Sequence, residues 1–75
     1  MKNDETKLLT AGTVARMIYR ARIEKRWSVF RLAAKSGIDT ALIYRIEEGM
    51  NAPRIDTLQK ICEALELEIT FPLKF

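Results

Sequence analysis

The stretch from Ser28 to Gly49 constrains the fold more than any other, since it reads as two short helices joined by a tight glycine turn. Ser28 is placed to cap the first of these helices, and Gly37 is placed to end it. Asp39 is placed to cap the second helix, and Gly49 to end that one. The pattern therefore predicts a pair of helices set at an angle by a short turn.

Apolar spacing predicts two further helices around this pair. Thr10 is placed to cap a helix over about 11–25, and the loop containing Pro53 precedes a helix over about 55–66. The central pair is expected over about 29–36 and 40–48. The residues predicted to face the core, in chain order, are Val14, Met17, Ile18, Ala21, Val29, Leu32, Ala33, Ile43, Ile46, Ile55, Leu58, Ile61, Cys62 and Leu65.

The last segment of the chain changes its period from helical spacing to strict alternation, which predicts a strand with one apolar face. Its apolar members are Leu67, Ile69, Phe71, Leu73 and Phe75. A lone strand leaves backbone groups unpaired, so we expect it to pair with the same strand of a second copy and form a homodimer. A disordered tail or a fifth short helix is the alternative.

These patterns divide the chain into a flexible N-terminal segment 1–9, a helical domain 10–66 and a dimerising strand 67–75. The single cysteine and the absence of histidine exclude an internal disulfide and nearly all zinc sites. The sequence also has no glycine-rich phosphate loop, and Cys62 lies on a buried stripe. We therefore expect no enzymatic activity and no cofactor.

No apolar run approaches the roughly 20 residues that span a bilayer, and the first residues have no apolar signal core. We expect a cytoplasmic protein with no membrane contact. The net charge of +3 is unevenly distributed, because residues 16–35 carry most of the cations and only one acid, Glu24. A basic half suits a polyanion such as DNA, although solvated helix faces account for such a run equally well.

Taken together, these residues resemble the Cro and lambda-repressor-like (XRE) helix-turn-helix family over about residues 13–71. The matching positions are Trp27, Ser28, Leu32, Ala33, Gly37, Ile43, Arg45, Ile46, Glu47, Gly49, Pro53, Leu58, Ile61 and Leu65. The resemblance implies a mainly α fold: a lambda-repressor-like helix-turn-helix domain of four helices with a C-terminal dimerising β-strand. The ending Leu65–Phe71 is also similar to Hip-type antitoxins, dimers that repress their own operon and hold a toxin, often a kinase.

The resemblance further implies a dimeric repressor that binds specific double-stranded DNA through the third helix. The implied DNA-binding residues are Thr40, Ala41, Tyr44, Arg45, Val29, Arg31, Lys35 and Arg54. Backbone N–H groups at the starts of the second and fourth helices are expected to receive phosphates. Arg22 and Glu47 occupy positions that form an ion pair between the first and third helices in many relatives.

Several residues depart from the family pattern. Val29 replaces a glutamine that contacts DNA in relatives, and Ala41 has no side-chain hydrogen bond to offer. Arg26 occupies a turn position usually held by glycine or asparagine, so we expect backbone strain there. These departures leave open a protein-binding adaptor on the same fold, for which Phe30 and Leu42 would form an apolar patch if exposed.

Overall fold

The computed structural model describes residues 10–50 and 52–67, and within them the four predicted helices are confirmed. They are α1, Ala11–Glu24; α2, Val29–Ser36; α3, Thr40–Glu47; and α4, Ile55–Leu65. Each lies within one residue of its predicted limits. The predicted N-terminal segment 1–9 and residues 68–75 of the predicted strand lie outside the described residues, and the described part contains no strand.

Side chains cap two of the helix starts. The Thr10 hydroxyl accepts a hydrogen bond from the Thr13 N–H at 3.2 Å, and the Ser28 hydroxyl accepts one from the Arg31 N–H at 3.0 Å. Asp39 occupies the N-cap position of α3, but its side chain makes no cap hydrogen bond. The predicted N-cap position is therefore confirmed, and only the capping hydrogen bond of the side chain is absent. Its exposed carboxylate remains hydrated, so the missing bond has a small cost.

All four helices are followed by a residue in the left-handed region of backbone space. Gly37 and Gly49 have φ values of +73° and +74°, as the sequence predicted for helix ends. Arg26 and Glu66 have φ values of +59° and +60°, where a side chain costs free energy that glycine does not. The strain expected at Arg26 is therefore present, and Glu66 carries a second instance that the sequence did not reveal.

The end of α4 corrects the predicted start of the C-terminal strand. The Leu67 N–H donates to the Cys62 carbonyl at 2.8 Å, which closes the last turn of the helix. Its side chain packs, half-buried, against the core of its own chain. Leu67 thus belongs to the helix cap in the described structure, and a strand could begin only at a later residue.

The core lies where the inner faces of all four helices meet. α1 and α2 each contact both α3 and α4. The buried hydrophobic residues are Val14, Ala15, Ile18, Val29, Leu32, Ile43, Ile46, Leu58, Ile61, Cys62 and Leu65. Met17, Ala21 and Ala33 pack half-buried around this cluster. Ile55 was wrongly predicted to be buried: it lies in the first turn of α4, beyond the packed part of the helix, and is 54% exposed.

None of the described helices is long and apolar enough to cross a membrane. The fold has one consequence for the site. Because α3 buries Ile43 and Ile46 against the body, its opposite face is directed to solvent.

Candidate nucleic-acid interface

The outer face of α3 is open along its length. Ala41, Tyr44 and Arg45 are exposed, and Thr40 at the first position is half-buried. Ala41 and Arg45 are separated by four residues and Ala41 and Tyr44 by three, so these side chains lie on one face of the helix. The structure therefore brings together the four residues predicted to face DNA on this helix. No described part of the chain covers that face.

The start of α2 offers backbone donors and charge. The Ser28 cap takes up the Arg31 N–H, and the N–H groups of Val29 and Phe30 have no intrahelical acceptor, as is usual for a first turn. The Val29 side chain is buried in the core, so the prediction that it contacts DNA is wrong for the side chain. Phe30, the next residue, is 68% exposed.

Three exposed cations lie on the elements next to α3 in the chain. Arg31 and Lys35 are exposed on α2, one helical turn apart, and Arg54 is exposed immediately before α4. Arg45 and Arg54 line the same concavity of about 160 Å³ between α3 and the loop leading into α4. Leu42 and Pro53 form part of its apolar wall. The two guanidinium groups therefore border one depression beside the exposed face of α3.

The start of α4 differs from the start of α2. The Arg54 Nε donates to the Asp56 Oδ1 at 3.3 Å, and the Thr57 N–H donates to the same oxygen at 2.8 Å. The hydrogen bond from Arg54, followed by that from Thr57, lowers the pKa of the Asp56 carboxyl. The Asp56 carboxylate thus accepts from the Thr57 N–H, one of the backbone groups at the start of the fourth helix that were predicted to bind phosphate. The spacing of Arg54 and Asp56, two residues apart, was the signal that could have indicated this pair.

A buried ion pair fixes α3 on the body. The Arg22 Nε donates to the Glu47 Oε2 at 2.7 Å, and the Arg22 Nη2 donates to the Glu47 Oε1 at 2.9 Å. The Arg22 Nη1 donates to the Trp27 carbonyl at 2.8 Å. The hydrogen bond to Glu47 raises the pKa of Arg22 above its ordinary value, against the opposing effect of burial. The contact implied by the family resemblance is therefore present, with all three guanidinium nitrogens engaged.

This arginine also connects the body to the exposed face. Its guanidinium carbon lies 5.4 Å from the ring centroid of Tyr19 on α1. The carboxylate of Glu47 on α3 neutralises the Arg22 charge. Glu47 lies three residues after the exposed Tyr44. Because the pair is bidentate, it restricts rotation of α3 as well as its distance from α1.

The turn between α1 and α2 carries the single tryptophan of the chain. Trp27 packs half-buried against the core, and two cations flank its ring. The Lys25 Nζ lies 5.3 Å from the ring centroid, and the Arg31 guanidinium carbon lies 5.7 Å from it. Sequence reasoning missed these cation–π contacts. The contact with the Trp27 ring keeps the Arg31 guanidinium close to the N-terminus of α2.

The surface just described lies on a helix pair with a short glycine turn, and a family model described as helix-turn-helix, which represents XRE-family domains, matches residues 18–71. The chain belongs to this family. The match includes both helices of the turn, the loop and all of α4. XRE-family domains are DNA-binding modules of transcription regulators and are generally not enzymes, so membership supports a DNA-binding regulator. None of the curated proteins compared with the chain matches it.

The predicted dimerisation residues receive no test from the described structure. Ile69, Phe71 and Leu73 lie outside the described residues. Leu67 is described, and it packs on its own chain as part of the α4 cap. Strand pairing and the homodimer therefore stay predictions.

Proposed function

We propose that this XRE-family protein is a sequence-specific DNA-binding repressor that acts as a dimer and reads the major groove with α3. The observation that supports the proposal most strongly is the open outer face of α3, with Tyr44 and Arg45 exposed, on a helix that Arg22 and Glu47 fix to the body. A rigid helix with a solvent-facing side and nearby cations has the shape and charge to enter the groove.

Each residue of α3 has a chemical role in this proposal. Arg45 donates two hydrogen bonds to guanine O6 and N7, or grips the flanking phosphate. Tyr44 donates a hydrogen bond to a phosphate through its hydroxyl, and Thr40 bonds a base edge. Ala41 contributes apolar contact with a thymine methyl group. With few polar side chains, part of the specificity comes from the shape of the DNA.

The surrounding groups position the protein on the phosphate backbone. The free N–H groups at the start of α2 receive one phosphate, assisted by the helix dipole. Arg31, Lys35 and Arg54 add charge contacts. Since Arg54 is engaged with Asp56 at 3.3 Å, its phosphate contact requires exchange of one anion for another.

The dimer arises from pairing of the C-terminal segments, so that two copies of α3 lie about 34 Å apart, one turn of DNA. Deleting residues 68–75 then leaves a folded monomer whose operator affinity is much lower, because two half-sites are no longer linked. Light scattering on the truncated chain measures its mass. A truncated chain that is still dimeric contradicts strand-mediated assembly.

The experiment that tests DNA recognition is selection of bound duplexes from random sequences at two salt concentrations, followed by fluorescence polarization on the selected site. We expect enrichment of a two-fold symmetric site and affinity that falls with salt. A duplex of the same composition in scrambled order is the control. Equal binding to both duplexes, or no salt-dependent binding to either, contradicts the proposal.

A narrower form of the proposal is an antitoxin that represses its own operon and binds a protein toxin. It rests on the likeness of the C-terminal segment to Hip-type antitoxins. The test is purification of the full chain with the product of any adjacent kinase-like gene, followed by measurement of a defined complex. An isolated gene, or a neighbour whose product does not bind, removes this narrower form and leaves the DNA proposal standing.

The second candidate is a protein-binding adaptor with weak or no DNA binding. It is favoured by the exposed ring of Phe30, at 68%, next to a helix face with few polar groups. Leu42, the other residue of the expected patch, is half-buried against the core, which reduces the apolar area on offer. A chain that binds neither the selected nor the scrambled duplex, but binds a protein partner that the Phe30→Ser variant loses, supports this candidate.

A further inference from the structure

A groove runs along the side of α1 that carries Thr13, Met17 and Ala21. Met17 and Ala21 form its apolar floor, Arg16 and Arg20 stand exposed along its rim, and Leu67 closes one side. Its volume is about 350 Å³, larger than that of the concavity beside Arg45. We call this feature the α1 groove. Within the described residues, neither Arg16 nor Arg20 has an ion-pair partner.

The chain leaves the described fold at this groove. The Lys25 Nζ contacts the Glu66 Oε1 at 3.1 Å, which holds the residue after α4 against the C-terminal end of α1. Leu67, the next residue, already lines the groove. Residues 68–75 therefore start at one end of an apolar channel whose other end lies near Thr13.

The dimensions of segment and channel agree. The groove follows α1 from Thr13 to Glu24, a rise of about 16 Å at 1.5 Å per residue. Residues 68–75 span about 26 Å when extended at 3.3 Å per residue, enough to follow the whole groove. Their apolar residues alternate, so Ile69, Phe71 and Leu73 can enter the groove together on one face.

We propose that residues 68–75 lie in the α1 groove of their own chain, antiparallel to α1, with the alternate apolar side chains on Met17 and Ala21. Attachment at Leu67 gives the segment a high effective concentration at its own groove, which favours this site over the same groove of another copy. Glu68 enters the positive field of Arg20. The backbone edge of the segment stays available for pairing with a second copy.

The test is paramagnetic relaxation in the full chain. Lys74→Cys, at a position on the outward face of the alternation, carries a nitroxide label. Cys62 does not compete for the reagent, because burial raises the pKa of its thiol to about 11 and keeps it protonated. We expect the amide signals of Thr13 and Arg16 to lose most of their intensity, since the effect falls steeply with distance. The same sample after chemical reduction of the nitroxide is the matched control and shows those signals at full intensity.

A second sample shows whether the segment in the groove belongs to the same chain or to another copy. Spin-labelled chain without isotope is mixed with isotope-labelled chain without spin label, so that only contacts between copies broaden signals. We expect Thr13 and Arg16 to keep their intensity in this mixture. Equal loss in both samples means that the segment occupies the groove of a neighbour and overturns the proposal. Intact signals in both samples overturn it as well.

A pair of variants tests whether apolar side chains hold the segment in the α1 groove. Ile69→Ser combined with Phe71→Ser removes the inward face, outside the described helices, and is expected to restore the signals of α1. Thr70→Ser, on the outward face, is expected to change nothing. Broadening that survives the double substitution contradicts seating through the apolar face. None of these measurements contains DNA, so their failure and a failure of the proposed repressor function are distinguishable.

Discussion

Two arginine–carboxylate pairs in this molecule have the same chemistry and opposite surroundings. Arg22 and Glu47, which are 25 residues apart in the chain, join α1 to α3 through two hydrogen bonds, with side chains only 10% and 8% exposed. Arg54 and Asp56 are only two residues apart in sequence, make one hydrogen bond, and have side chains that are 85% and 65% exposed. The buried pair fixes α3 to α1, whereas water and salt screen the exposed pair. Arg54 can therefore exchange Asp56 for another anion.

The largest effect is expected from Glu47→Ala. It leaves the Arg22 charge buried without its partner, at a cost of about 3–5 kcal/mol, which is a large part of the stability of a small domain. Urea denaturation followed by circular dichroism measures the loss. Asp56→Ala, which removes the same charge from the exposed pair, is the matched control and should shift the midpoint far less. Similar shifts for both variants would erase the distinction between the pairs.

A double substitution separates the net contribution of the buried pair from the cost of breaking it. Arg22→Met with Glu47→Leu replaces both charges by apolar side chains of similar length, and we expect most of the stability lost in Glu47→Ala to return. The same denaturation experiment tests this. A double variant as unstable as the single one would mean that the hydrogen bond from Arg22 to the Trp27 carbonyl contributes more than the pair itself.

Arg45 extends the comparison to an arginine with no ion-pair partner among the described residues. Arg45→Ala should weaken binding to the selected DNA site by about 1–3 kcal/mol and leave the unfolding midpoint unchanged. Lys60→Ala, an exposed cation on α4, is the control for loss of positive charge. If affinity falls equally on all DNA sequences, Arg45 contacts a phosphate; a fall for the selected site alone identifies a base contact.

The turn next to the buried pair provides a smaller effect of opposite sign. Arg26→Gly should stabilise the protein by about 0.5–1 kcal/mol, because glycine relieves the strain at φ +59° and loses part of that gain to unfolded-state entropy. Thermal unfolding measures the change.

Gly37→Ala should destabilise the protein by about 1–2 kcal/mol, since an added Cβ meets no atom within 4 Å and only the backbone strain at φ +73° remains.

The smallest effect concerns the exposed pair and DNA. Asp56→Asn removes the anion that competes for Arg54, so binding to every DNA sequence should tighten modestly. Fluorescence polarization on selected and scrambled duplexes measures it. Glu63→Gln makes the same change in net charge elsewhere on α4 and is the matched control. Equal tightening in both variants would show that general charge, and not release of Arg54, is responsible.

The helices were predictable from sequence because their signals are local. Periodic apolar residues gave all four, and glycines gave the ends of α2 and α3. Ile55 fits the same periodicity yet lies outside the packed region, since a stripe does not say how far the neighbouring helices extend. Glu66 in the left-handed region carried no signal at all, because its conformation is imposed by the closing bond from Leu67 to Cys62.

The candidate interface was predictable in part. The face of α3 follows from spacing, and the contact of Arg22 with Glu47 came through family resemblance, since nothing local connects residues so far apart. The burial of Val29 was visible in the apolar stripe, and it removes the side chain from the surface. The engagement of Thr57 by Asp56 depends on a rotamer, which a pattern of residue types does not specify.

The position of Trp27 gives the protein an intrinsic optical probe. Indole emission responds to nearby charge and to hydration, and this lone ring lies half-buried between Lys25 and Arg31. If Arg31 turns toward a phosphate, the field on the ring changes, whereas unfolding exposes the ring to water. A single fluorescence spectrum therefore distinguishes occupancy from denaturation, with no dye attached to either macromolecule.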